Sequence, residues 1–76
     1  MIYQINKVWA KGKITIPLKV YQARIYNGDT SRVHLHGDDL AFQTKSKKEA
    51  QKLIRLTNDI CGKLRHYVGA KLVIKK

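Results

Sequence analysis

Ile14, Ile16, Leu18 and Val20 alternate with polar residues at the strand period, so one face of this segment is apolar. With IYQINKVW before it and AKGK as a turn, the pattern predicts an N-terminal hairpin over residues 2–20. Pro17 cannot donate to a ladder, which places the second strand at an edge or breaks it there. The phase slips after Val20. Tyr21, Ala23 and Ile25 become the apolar set and Gln22, Arg24 and Tyr26 the polar one, predicting a bulge or new element near residues 19–21 and a strand beyond it.

Two further strands can be phased against each other. Val33 and Leu35 face inward, with Arg32, His34 and His36 outward; Leu40 and Phe42 face inward, with Ala41, Gln43 and Lys45 outward. A Gly37-Asp38 loop of type II′ sets Leu35 opposite Leu40 and Val33 opposite Phe42. A two-residue Asn27-Gly28 loop would instead oppose Ala23 to Arg32, so a three-residue Asn27-Gly28-Asp29 loop or a bulge is expected.

The period then changes. Ser46 and Glu49 have the spacing of a capping box, and Ala50, Leu53, Ile54, Thr57, Ile60, Cys61 and Leu64 follow as a helical stripe. Gly62 either ends this helix or sits inside it, and Lys63, Arg65 and His66 suit a C-terminus near residues 67–69. AKLVIKK adds a last strand or trails as a basic tail. The expected fold class is α+β: an antiparallel sheet of three to five strands packed on one helix in the C-terminal half. It forms a single small domain over residues 1–76, divided into a hairpin (2–20), a sheet (19–45), a helix (46–66) and a strand or tail (70–76).

Composition adds a direction. Sixteen Lys and Arg against five Asp and Glu give a net charge of +11 on 76 residues. Such a chain gains affinity for any polyanion by releasing counterions, and nucleic acid is the first candidate. The lone Cys61 excludes an intramolecular disulfide and a cysteine metal set, and reads as a buried thiol in a reducing, cytoplasmic setting. No apolar run has the length of a membrane span.

Catalysis finds no constellation. Asp29, Asp38 and Asp39 fall in expected turns, Glu49 in the cap and Asp59 on an exposed helical position, leaving no acid–base pair. Cys61 with His66 could supply a nucleophile, but Cys61 falls on the buried stripe. His34 and His36 with Asp38 or Asp39 lack the further ligands that a stable metal site needs. The expectation is therefore no enzyme, no metal and no cofactor. What remains is a polar sheet face of Gln22, Arg24, Tyr26, Arg32, His34, Gln43 and Lys45, whose donors and amides suit base edges and phosphates in a major groove. Lys47 and Lys48 oppose the dipole of the helix start, a penalty that a docked phosphate would reverse. Duplex DNA is the expected partner, with a nucleoid-associated location. An acidic protein docked by an inhibitor or accessory subunit is the alternative, and RNA or a ribosome the third.

Two family resemblances carry the same direction. Three strands followed by FQTKSKKEAQKL, with YQARIY as first strand, resemble the arm-site DNA-binding domain of phage and transposon tyrosine integrases and, more distantly, plant ethylene-response-factor type domains. The matching residues are Phe42, Thr44, Lys45, Lys48, Glu49 and Ala50. That resemblance implies a sheet in the major groove, with Arg24, Tyr26, Arg32, His34 and Gln43 as contacts, and a small phage, plasmid or prokaryotic regulatory or accessory factor. KVWAKGKITIP, followed by Gly28-Asp29 and an apolar strand, resembles the AbrB swapped-hairpin transcription regulators. This second resemblance implies an intertwined homodimer with Lys11, Lys13 and Arg24 at the DNA. It requires residues 18–25 to be helical, whereas the first requires a strand.

Overall fold

The computed structural model describes residues 1–28 and 39–75. In chain order its elements are β1 (Ile2–Trp9), a 3-10 turn (Ala10–Gly12), β2 (Ile14–Pro17), α1 (Val20–Tyr26), β3 (Gln43–Thr44), α2 (Lys47–Cys61) and β4 (Tyr67–Lys75). The class is α+β, as expected, with a four-stranded antiparallel sheet and α2 in the C-terminal half.

All the strands pair with β1. On one edge β4 follows it from Ile2 opposite Lys75 to Trp9 opposite Tyr67, with a register shift between Val8 and Trp9. The other edge is shared end to end. There β2 takes Asn6 to Trp9 and β3 takes Tyr3 and Gln4, while between them the Leu18 amide donates to the Ile5 carbonyl at 2.8 Å. The expected N-terminal hairpin is therefore present, and the C-terminal segment is a strand that begins at Tyr67 rather than at residue 70.

Residues 20–26 are the principal correction. They form α1, not a strand, so Gln22, Arg24 and Tyr26 do not lie on a sheet face. Seven residues reading VYQARIY satisfy both periods: Tyr21, Ala23 and Ile25 at two, Val20, Ala23 and Tyr26 at three. Tertiary pairing decides the matter. Lys19 bridges to Ala41, the Val20 amide donates to the Leu40 carbonyl and the Phe42 amide to the Leu18 carbonyl, so the chain leaves and rejoins the β1 edge at nearly one point. No length of that edge is left for residues 20–26, and a helix satisfies their amides internally. The Gln22 side chain completes the start by accepting the Lys19 amide at 3.0 Å.

Alternate residues of β1 share a face. Ile5 packs there with Leu18, Ala23, Ala50 and Leu53, and Tyr3, Tyr26, Phe42, Ile54, Ala70 and Leu72 extend the cluster. Both helices cover this one side. In α2 the stripe holds at Ala50, Leu53, Thr57 and Cys61, but Ile60 is exposed within the helix and Leu64 is exposed beyond its end at Cys61. Gly62 follows as its C-cap; a Cβ there would collide with the Asn58 carbonyl oxygen. The Ser46 hydroxyl accepts the Glu49 amide at 3.1 Å, while the Ser46 amide donates to the Thr44 hydroxyl, so the reciprocal half of the capping box is replaced.

Three further apolar residues depart from their expected burial. Ile14 and Ile16 are 49% and 40% exposed on the edge strand β2, and Leu40 is 67% exposed outside any strand. The expected strand around Val33, the Gly37-Asp38 turn, and Arg32, His34 and His36 lie outside the described residues.

Thr57 is fully buried and its hydroxyl has no hydrogen-bond partner. Replacing an unsatisfied hydroxyl by a methyl of similar size removes a desolvation cost of about 1–3 kcal/mol. Thr57→Val is therefore expected to raise the midpoint of chemical denaturation, and Thr57→Ala to lower it by opening a void; a Val variant less stable than the parent would contradict this packing.

Candidate nucleic-acid interface

The β1–β4 register sets the geometry of the surface. Because Trp9 lies opposite Tyr67, the turn leaving β1 and the turn entering β4 sit side by side at one end of the sheet. The Ala10 amide joins them by donating to the His66 carbonyl at 2.8 Å. Beneath them the rings of Trp9 and Tyr67 meet edge to face, with centroids 5.0 Å apart. The Tyr67 hydroxyl donates to Asn58 Oδ1 at 2.7 Å, and the same oxygen accepts the Ala70 amide at 3.1 Å, tying this end to α2.

Five basic residues therefore project from one end: Lys11 and Lys13 from the first turn, Lys63, Arg65 and His66 from the second, all exposed. Residues 10–13 and 62–66 contain no Asp or Glu. The backbone here is also strained. Ala10, Lys11 and His66, at φ 54°, 59° and 72°, are the non-glycine residues with positive φ among those described, and Gly12 continues the run at 92°. A left-handed conformation costs a non-glycine residue about 1–2 kcal/mol, and such costs gather at functional sites.

The other expected contacts are dispersed. Gln43, Lys45, Lys47 and Lys48 are exposed around β3 and the start of α2, near Tyr3. Six residue steps of β1 separate Tyr3 from Trp9, about 20 Å at strand rise. Lys11 and Lys13 therefore stand at the opposite end from the helix-start group. The Gln43 amide donates to Gln4 Oε1 and the Gln4 amide to Asn6 Oδ1, each at 3.1 Å, on the sheet face away from the helices. Gln22 is engaged in capping α1. Arg24 occupies the last turn of α1 and is half-buried. The Tyr26 hydroxyl lies 3.7 Å from Cys61 Sγ, and burial together with that contact pushes its pKa well above the usual value. These three do not form one contact face with Gln43 and Lys45. Arg32 and His34 lie outside the described residues.

Lys63, Arg65 and His66 are the members of the cluster that sequence reasoning assigned elsewhere, to a helix C-terminus. The signal available was Gly62 followed at once by three basic residues in five. Their proximity to Lys11 depended on a strand pairing that the pattern did not reveal.

Lys7 is a separate feature. It is buried beside β2 and near Cys61, and burial depresses its pKa. Among the described residues no group of three or more His, Cys, Asp and Glu is arranged to hold a metal ion. No described helix is long and apolar enough to cross a membrane. Comparison of the chain with protein-family models, curated proteins and solved structures gives no match.

Two outcomes test this end. Lys11→Gly removes left-handed strain and a charge together, so it is expected to stabilise the fold by about 1 kcal/mol in denaturant titration. Burial, with a smaller contribution from the Cys61 charge, pushes Tyr67 up to about 12. A phenol raised in the folded state contributes stability that is complete below its unfolded pKa, about 10, and is lost as pH rises towards 12. Phenolate absorbance should accordingly lose a late-titrating component in Tyr67→Phe; an unchanged titration would place Tyr67 in open solvent.

Proposed function

We propose that this chain binds nucleic acid, duplex DNA in the first place, through the basic end formed by its two adjoining turns. One observation carries the reading: the Ala10–His66 hydrogen bond joins two turns that together carry Lys11, Lys13, Lys63, Arg65 and His66, all exposed, and no Asp or Glu within residues 10–13 and 62–66. A polyanion is the ligand whose binding such a surface promotes, because each phosphate neutralised releases condensed counterions. Beneath the turns the Trp9 and Tyr67 rings pack edge to face and the Tyr67 hydroxyl bonds to Asn58, which supports this end of the sheet.

The same surface agrees with the swapped-hairpin resemblance. That family likeness requires residues 18–25 to be helical, where α1 spans Val20–Tyr26, and implies DNA contacts at Lys11, Lys13 and Arg24, of which Arg24 is half-buried in the last turn of α1 rather than in the two turns. The integrase likeness requires a strand there, so the sheet-face contacts that it implied lose their support at Arg24 and Tyr26, as does Gln22 of the polar face read from the alternation. A small regulatory or accessory DNA-binding factor is the role that fits, with groove contact made by the turns and backbone charge supplied around them.

Fluorescence anisotropy with a labelled duplex over a series of salt concentrations tests the proposal. Lys11→Gln with Lys13→Gln, and separately Lys63→Gln with Arg65→Gln, should each weaken binding and lower the slope of log K against log salt by roughly 0.9 for every phosphate contact removed. Thr57→Val should leave both unchanged. Equal affinity and slope in the charge variants would refute the reading, and a stoichiometric protein retained from nuclease-treated lysate by the charge variants as well would favour an acidic protein partner instead.

A further inference from the structure

A second feature lies away from the two turns. An open cleft of about 600 Å³ is lined by Asn27, Ser46, Lys48, Glu49, Lys52 and Arg55. Lys48, Lys52 and Arg55 follow one another at i, i+4 and i+7, so α2 presents three cations along one face. Asn27, the C-cap of α1, faces them across the cleft with an amide able to donate and accept. Among the described lining residues Glu49 is the one carboxylate against three cations.

We infer that this cleft is a phosphate-binding site, lined by residues other than those of the basic end. Its lining differs from that of an ordinary small-molecule pocket, which is mostly apolar with a few polar groups. Among the described residues every lining side chain is charged, amide or hydroxyl, which favours a small, hydrated, strongly anionic group over an apolar one. A guanidinium and two ammonium groups suit phosphate oxygens by bidentate and point-charge contact respectively. The first-turn amides of α2, at Lys47 and Lys48, lack intrahelical acceptors and add to the same preference. The volume accommodates a mononucleotide, so the phosphate can come from a free nucleotide or from a nucleic-acid strand whose other phosphates lie elsewhere on the chain.

The full chain can be titrated at constant ionic strength with inorganic phosphate, a nucleoside 5′-monophosphate and a twelve-nucleotide strand, following backbone amides and the Arg55 Nε–H by NMR. Saturable shifts confined to Asn27, Ser46, Lys48, Lys52 and Arg55 are expected. They should weaken at least ten-fold in Lys52→Gln/Arg55→Gln and persist in Lys11→Gln/Lys13→Gln, whose loss of duplex affinity reports on the basic end alone. Shifts with the monophosphate identify a free nucleotide as sufficient; shifts with the strand alone identify a phosphodiester. Absence of saturable shifts with all three probes, equal shifts with sodium chloride, or shifts that survive the Lys52/Arg55 substitutions in a folded variant would overturn the assignment.

Discussion

The antiparallel register between β1 and β4 is the constraint on which the rest of the structure depends. It uses one whole edge of β1 and places Trp9 opposite Tyr67. The other edge is filled in sequence by β2, Leu18 and β3. With both edges of β1 occupied, residues 20–26 cannot join its ladder; they form a helix, and Ala23 enters the core on the side already taken by α2. The same register brings the two end turns together. A slip of one residue would move Ile5 and Leu72 to the opposite face and separate the Ala10 amide from the His66 carbonyl.

Charge and strain meet at that end of the sheet. Of the sixteen basic residues, Arg32 and Lys76 lie outside the described segments, as do Asp29 and Asp38 of the five acidic ones. Of the remaining fourteen, Lys11, Lys13, Lys63 and Arg65 stand at the turns, joined there by His66, and Lys48, Lys52 and Arg55 line the cleft on α2. Three left-handed non-glycine residues at the turns cost stability that a relaxed hairpin would not. The Trp9–Tyr67 contact and the bonds from Tyr67 and Ala70 to Asn58 tie the same end together. An arrangement that holds like charges together on strained backbone is consistent with selection for a ligand rather than for folding alone.

Much of the fold was legible in the sequence, because long periodic signals survive tertiary context. The S-x-x-E spacing found the start of α2, the alternation at Ile14 to Leu18 found β2, and Pro17 marked an edge strand. The misreading at residues 20–26 arose where a short segment carries both periods and only the occupancy of a distant edge decides between them. Ile14 and Ile16 showed the opposite limit: their alternation was real, yet their face extends beyond the cover of the helices. Of the site, Lys11 and Lys13 were legible through a family likeness, while Lys63, Arg65 and His66 were not. Nothing local marks residues more than fifty positions apart as neighbours; that follows from the β1–β4 ladder.

The most direct measurement is a map of backbone amide shifts on adding a short DNA duplex at moderate salt. The account predicts the largest changes at residues 10–13 and 63–66 together, including the Ala10 amide that joins the turns. Changes confined to Gln4, Asn6 and Gln43 on the helix-free sheet face, with the turns unmoved, would contradict it.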